Sequence, residues 1–255
     1  MKLRVLGSSG AEFPGHNPPG FLLSGRILFD AGSLTNVLGE KEQLRIKNIF
    51  ITHAHLDHIK GIPFLADNII TKNHNRSVNV MSILPVIKTI KRDLFNSSVW
   101  PDFTVIPDPC NAIITLVEVK EGSPVLVDDY TVTPYKVNHS VPAVGYLVED
   151  SRKRLFFYTG DTGPTDRTWK KIGNRRINVL IIEVSFPNRM KEMALVARHM
   201  TPELLKEELS KLSHMPEMVC VTHPKPQYFE TIRKELAALG IGNLRLLKDG
   251  EIITI

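Results

Sequence analysis

Short apolar runs bounded by glycine, proline or asparagine dominate the first thirty residues and predict strands at Leu3–Leu6, Phe21–Leu23 and Ile27–Phe29. Gly15–Gly20 (G-H-N-P-P-G) reads as a loop, and Ser33 can cap a helix running towards Leu44. Asn48–Thr52 is a compact apolar strand, with a helix expected from His58 to Ile69. Val78–Met81 predicts a strand and Pro85–Phe95 a helix. Further strands follow at Ile113–Val119, Val125–Val127, Tyr130–Val137, Gly145–Val148 and Leu155–Tyr158. In the last third, Val179–Val184 reads as a buried strand. Thr201 then caps a helix with Pro202 at its first position and Leu204, Leu205, Leu209 and Leu212 as its apolar stripe. Met218–Val221 is a strand, Gln227–Leu239 a helix, and two short strands close the chain. Helices alternating with strands around a strand-rich centre, without repeat or linker, predict an α/β sandwich in one domain over residues 1–255.

Composition narrows the class. With 255 residues, 42% hydrophobic and 23% charged, the chain can bury a large core and is not disordered. No apolar run approaches the roughly 18 residues a membrane span needs, and the N-terminus reads as a first strand rather than a signal peptide. Cys110 and Cys220 are too few and too far apart for a disulfide framework or a thiolate metal site. They read as buried free thiols in a reducing, cytoplasmic compartment. The net charge of +5 is scattered over Lys88, Lys91 and Arg92, over Arg152–Arg154, and over Lys170, Lys171, Arg175 and Arg176. A nucleic-acid binder concentrates such charge on one face, so no stable nucleic-acid partner is expected.

The chemistry gathers in Thr52–Gly61, T-H-A-H-L-D-H-I-K-G, which holds three histidines and an aspartate in the order H-x-H-x-D-H. Just after a strand, His53 and His55 can face one ion, while Asp57 and His58 lie on the next turn and point elsewhere. Donors diverging this way suit two cations roughly 3.5–4 Å apart better than one tetrahedral ion. Further candidate ligands stand at predicted strand ends: His139 in K-V-N-H-S, Asp161 in Y-T-G-D-T-G and His223 in V-C-V-T-H-P. His16, His74 and His214 fall in polar loops and read as surface residues.

This arrangement resembles the metallo-β-lactamase superfamily over nearly the whole chain. The resemblance implies an αββα four-layer sandwich with two metals at one edge of the sheets. By it, His53, His55 and His139 hold one metal, Asp57, His58 and His223 hold the other, and Asp161 bridges. Asp30, in F-D-A-G, matches an early aspartate that usually acts behind the ligands. Glyoxalase II shares these ligands, whereas flavodiiron proteins carry a glutamate in place of His55.

Three further stretches resemble the class II cyclic-nucleotide phosphodiesterases: L-F-N-S-S-V-W-P-D-F-T at Leu94–Thr104, I-E-V-S-F-P-N-R at Ile182–Arg189 and H-M-T-P at His199–Pro202. Members of that family hydrolyse 3′,5′-cyclic AMP or GMP to the 5′-monophosphate. Glu183 and His199 also look like the glutamate–histidine dyad of the tRNA 3′-processing endonucleases, which have E-A-T and H-S-T in those places. No tRNA-gripping arm is evident. The plain alternative makes Glu183 a strand-end carboxylate neutralised by Arg189, His199 a helix-terminal residue and Thr201 an ordinary cap.

The expected reaction is attack of a metal-bridging hydroxide on a cyclic phosphate, with His199, oriented by Glu183, protonating the departing O3′. Imidazole-rich ligands suit zinc, with manganese and iron as alternatives. The expected substrate is a small anionic cyclic nucleotide, and Phe186, Met190 and Trp100 either stack on its base or fill the core. The competing readings are a tRNA 3′-processing endonuclease and a non-catalytic metal-binding sensor module. Superfamily members that act on phosphodiesters often pair, which leaves room for a homodimer.

Overall fold

Apolar runs with alternating side-chain direction build two sheets, each drawn largely from one half of the chain. The computed structural model describes residues 1–72 and 76–255, so His74 lies outside the described residues. The first sheet contains β1 (Lys2–Gly7), β2 (Gly20–Leu23), β3 (Ile27–Phe29), β4 (Asn48–Phe50), β5 (Val78–Ser82) and β6 (Ile114–Glu118). The second contains β7 (Val125–Val127), β8 (Tyr130–Lys136), β9 (Val144–Asp150), β10 (Leu155–Tyr158), β11 (Val179–Glu183), β12 (Met218–Thr222) and β13 (Leu244–Leu246). The last strand, β14 (Ile252–Thr254), crosses back to pair with β1. Each sheet has seven strands, in the orders β14-β1-β2-β3-β4-β5-β6 and β13-β12-β11-β10-β9-β8-β7. The expected α/β sandwich of the metallo-β-lactamase type is the fold observed.

Aromatic rings seal the sheets together. Phe29 of the first sheet meets Phe156 of the second edge-on at 5.6 Å, Phe50 meets Tyr146 at 5.2 Å, and Phe21 meets Tyr158 at 4.8 Å. Such pairs add roughly 0.5–1.5 kcal/mol each beyond their area burial. Strand β11 is buried on both faces. Val179 and Ile181 join the core between the sheets, while Leu180 and Ile182 join Trp169, Leu204, Leu205 and Ile232 under the outer helices. A strand covered on both sides reads as a continuous apolar run, as V-L-I-I does. Alternation then turns Glu183 to the inter-sheet side at the strand end, and Ser185 two residues on follows it.

Several helices depart from the expected bounds. The predicted Ser33–Leu44 helix is two short ones, Leu34–Val37 and Glu40–Gln43, because Leu38 and Gly39 are extended. The predicted His58–Ile69 helix begins earlier and is divided into Leu56–Ile59 and Gly61–Ile70. Ala31 inserts its backbone at the division, donating to the His58 carbonyl at 2.7 Å and accepting from the Gly61 N–H at 2.8 Å. Pro63, lacking an N–H, leaves the Ile59 carbonyl without its usual helical donor. The interruption docks the Asp30–Ala31 turn against His58. Helices Asp166–Ile172 and Lys191–Ala197 lie where no element was expected. No helix among the described residues is long and apolar enough to cross a membrane.

Candidate metal centre

The predicted site residues arrive on the C-terminal ends of strands. Asp30 follows β3, His53–His58 follow β4, His139 follows β8, Asp161 follows β10, Glu183 ends β11, and His223 follows β12. Strands β3 and β4 are parallel, as are β10, β11 and β12. Strand β8 is antiparallel to β9 and β9 to β10, so β8 ends at the same edge.

All seven predicted ligands meet there, in two groups. Ligand atoms of His53, His55, His139 and Asp161 lie within 4.8 Å of one another, and those of Asp57, His58 and His223 do the same. Nδ1 of His55 is 3.2 Å from Nε2 of His139. Asp161 stands between the groups. Its Oδ2 is 3.7 Å from His53 Nε2, while its Oδ1 is 3.4 Å from His58 Nε2 and 3.3 Å from His223 Nε2. His199 also approaches Asp161 and His223 within that limit.

The donor chemistry fits divalent cations. Among the described residues, Nε2 of His53, His58 and His223 are buried without a hydrogen-bond partner. Leaving a polar atom unpaired in the interior costs about 1–3 kcal/mol, a cost that cation coordination would remove. Asp30 fixes two of these rings. It is fully buried and accepts from the Thr52 N–H at 2.8 Å, the Thr52 hydroxyl at 2.9 Å, His58 Nδ1–H at 2.7 Å and the Tyr158 hydroxyl at 2.7 Å. The single hydroxyl proton of Thr52 is spent on the carboxylate. Thr52 Oγ1 must therefore accept from His53 Nδ1–H, 3.0 Å away, which leaves the Nε2 lone pair of His53 free.

Electrostatics favour the same arrangement. Burial and the neighbouring His58 hold His53 well below the ordinary imidazole range, and burial lowers His55 and His139 too. Burial opposes charge on Asp161, yet His223, His58 and His53 around it keep its carboxyl well below the usual range. Asp57 is likewise lowered, its burial outweighed by His223 and His58. Burial opposes charge on His58 as well, but Asp161 and Asp30 outweigh it and raise His58 well above the ordinary imidazole range. The edge thus presents lowered imidazoles at His53, His55 and His139 beside ionised carboxylates and a raised His58.

Glu183 and His199 form a second centre against the first. His199 Nδ1 donates to Glu183 Oε1 at 2.6 Å, and Glu183 also accepts from the Thr162 N–H at 3.0 Å and the Ser185 hydroxyl at 2.7 Å. Burial opposes charge on His199, but Glu183 outweighs it and pushes the imidazolium up to about 9. The plain alternative is met in part: Glu183 does end its strand, but the neutralising Arg189 is engaged elsewhere. Arg189 stacks over the Tyr228 ring at 5.3 Å, and no ion pair joins it to Glu183 among the described residues. Thr201 does cap its helix, accepting from the Leu204 N–H at 3.4 Å.

Three side-chain-bearing residues at this edge hold a strained backbone. Asp30, Arg198 and His223 have φ of 55°, 57° and 66°, a left-handed region that costs side-chain-bearing residues roughly 1–3 kcal/mol each. Gly10 makes room for the last of them: a Cβ there would lie 2.5 Å from the His223 carbonyl and 2.7 Å from its Nδ1. Gly10→Ala is therefore expected to displace His223 and weaken retention of a divalent ion about 10–100-fold, the usual cost of disturbing a ligand's support. Equilibrium dialysis in buffered zinc would measure it, and wild-type retention would refute it.

Sequence reasoning missed Thr52, Tyr158 and Ser185, whose hydroxyls carry the network. For Thr52 and Ser185 the signal was position, a hydroxyl at a strand end next to a histidine or one alternation from a carboxylate, whereas Tyr158 carried no such mark. Of the residues considered for stacking, Phe186 meets His199 edge-on at 5.8 Å, Trp100 packs on Phe64 at 5.1 Å, and Met190 lies in a surface turn. Cys220 is buried, but Cys110 is exposed, against expectation, because Asp108 folds its segment into a surface turn by accepting the Cys110 N–H. His214 is exposed, and His16 is half-buried beside Phe229. A cavity of about 340 Å³ walled by Ala54, Pro85, Val86, Val141 and Pro142 opens at His55. A second, of about 650 Å³, opens at His139 and carries Lys120, Lys136 and Arg198.

Residues 25–223 match the family profile described as the beta-lactamase superfamily domain. A protein of Aliivibrio fischeri named 3′,5′-cyclic-nucleotide phosphodiesterase is 30% identical, over 83% of this chain and 75% of that one. A protein of Archaeoglobus fulgidus named Ribonuclease Z is 25% identical, over 89% of this chain and 88% of its own. The crystal structure of unliganded yeast PDE1 superposes with a TM-score of 0.83 at 19% identity, covering 100% of this chain and 99% of the other, a likeness of fold. The chain belongs to the metallo-β-lactamase superfamily and, within it, to the family of the 3′,5′-cyclic-nucleotide phosphodiesterases.

Proposed function

We propose that this hydrolase is a metal-dependent phosphodiesterase that opens 3′,5′-cyclic nucleotides, cAMP, cGMP or both, to 5′-monophosphates. The observation that carries it is the Glu183–His199 pair standing against the two ligand groups. The name of the Aliivibrio fischeri relative supports the cyclic substrate. His53, His55 and His139 would hold one divalent ion, Asp57, His58 and His223 the other, and Asp161 both. Zinc suits these ligands best, with manganese or iron as alternatives. When bound, the ions would supply Lewis-acid activation of the attacking water and of the phosphoryl group.

The chain's own residues supply the rest. An O3′ alkoxide leaves poorly unless it is protonated as the bond to phosphorus breaks. Glu183 engages Nδ1 of His199, so the proton to be given sits on Nε2 of a ring that offers a nitrogen within 4.8 Å of ligand atoms of Asp161 and His223. As water oxygen bonds to phosphorus and the P–O3′ bond breaks, the Nε2 proton passes to O3′, and the proton that the water gives up to solvent is returned to His199 at the end of the cycle. A positioned acid of this kind contributes about 10²–10⁴-fold. Asp30 keeps the rings of His53 and His58 turned to the site throughout.

Incubation of the metal-loaded protein with cAMP and with cGMP should release the 5′-monophosphate from at least one of them. No turnover of either with Zn²⁺, Mn²⁺ or Fe²⁺ would overturn the reading. The Archaeoglobus fulgidus relative's name favours a second reading, precursor-tRNA cleavage. Salt-sensitive binding of precursor tRNA with indifference to cyclic nucleotides would mark it.

A further inference from the structure

Glu183 is bonded twice on the side of the site, once to His199 and once to Ser185. Ser185 is fully buried, and its Oγ lies 2.9 Å from His223 Nδ1. A hydroxyl has one proton to give, and an ionised carboxylate can only accept. With its proton on Glu183 Oε2, Ser185 must accept from His223 Nδ1–H. That fixes His223 in the tautomer whose Nε2 lone pair is free, and this Nε2 is one of the buried, partnerless nitrogens. The same construction stands across the site, where Asp30 spends the Thr52 proton and Thr52 accepts from His53.

We infer that Ser185 is a positioning residue for the second metal, and that Glu183 reaches that metal through the Ser185 hydroxyl and His223. Glu183 thereby serves two ends at once, orienting the acid His199 directly and setting the tautomer of a ligand through a relay. The inference rests on the two-ion reading of the site and is independent of which phosphodiester is the substrate.

The polarity of the relay makes a sharp consequence. Thr162 N–H and His199 Nδ1–H point at Oε1 of Glu183 at 3.0 and 2.6 Å, whereas beside Ser185 the N–H at Oε2 is that of Met200, at 3.4 Å. In Glu183→Gln the amide oxygen stays with the two closer donors, so the amide NH₂ faces Ser185 and donates to it. The Ser185 hydroxyl, its carboxylate acceptor gone, then satisfies its proton by giving it to His223 Nδ1. His223 carries its own proton on Nε2 in response, where it blocks coordination. An isosteric change at a residue that is not a ligand thus disables one.

The test is a Zn²⁺ titration of the metal-stripped protein without nucleotide, by calorimetry and elemental analysis, on wild type, Ser185→Ala, Glu183→Gln and His199→Ala. Long-range ¹⁵N–¹H spectra of the imidazoles report the His223 tautomer on the same samples. Wild type should bind two ions. Ser185→Ala and Glu183→Gln should each weaken one of them by about 10–100-fold, and His199→Ala should leave both unchanged. Glu183→Gln should also show His223 protonated on Nε2. Two sites of wild-type affinity in both Ser185→Ala and Glu183→Gln, or equal loss at both sites, would overturn the relay. Fewer than two ions in wild type would instead overturn the two-ion reading beneath it.

Discussion

His199→Ala is expected to keep both ions yet slow the hydrolysis of a cyclic nucleotide by roughly 10²–10⁴-fold. The side chain is held at 2.6 Å by a buried carboxylate and stacks on the His223 ring at 5.7 Å, and on the proposed reading it serves as the acid, so its removal takes away a proton rather than a ligand. A phosphodiester with a p-nitrophenolate leaving group offers a control, because that anion departs without protonation. The variant should cleave it at near the wild-type rate. Full activity on the cyclic nucleotide would remove His199 from the reaction.

The pH profile carries the same information with a definite sign. His199 must be charged to act, and its folded value lies near 9, above the ordinary 6.5. Two cations nearby would press that value down again. The alkaline limb of the rate should therefore fall between pH 6.5 and 9 and vanish in His199→Ala. Linkage gives stability the same direction. A group whose folded value is raised contributes fully below 6.5 and loses that contribution as pH rises through about 9.

Asp30→Asn should cost stability and metal together. The carboxylate accepts from Thr52, His58 and Tyr158 while fully buried, and an amide must turn an NH₂ towards at least one of those donors. Breaking a buried charged partnership of this kind costs about 3–5 kcal/mol. Denaturant unfolding of the metal-stripped protein measures that loss. The ring of His58 is freed in the same step, so zinc affinity should drop by roughly 10–100-fold. An unfolding midpoint and a zinc affinity both equal to wild type would show that Asp30 is dispensable.

What the sequence revealed follows the range of each interaction. Four of the seven candidate ligands were legible in the H-x-H-x-D-H spacing of His53–His58, and His139, Asp161 and His223 because each follows a strand, whose end can be read locally. The four-layer architecture came from resemblance, since which strands share a sheet is decided by partners far apart, as with β1 and β14. The helix Lys191–Ala197 was missed because Met193 and Val196 are exposed, so no inward stripe marks it. The predicted Ser33–Leu44 helix broke at Leu38 and Gly39, where the Gln43 side chain donates to the Leu38 carbonyl at 2.7 Å. Ser185 and Thr52 escaped notice because a hydroxyl's role depends on where its one proton goes. That is settled only when the carboxylate and the imidazole are both in place.

The left-handed residues at the site edge bear on how this protein can be engineered or drift. Asp30, Arg198 and His223 occupy backbone angles that glycine or asparagine would hold more comfortably. Selection for heat tolerance alone would reward such replacements. Each reward would be drawn from the carboxylate, the loop or the imidazole to which the proposed reaction assigns a part. Thermal robustness and activity therefore compete at three named positions, and variants gaining both should carry their changes in the outer helices, away from this edge.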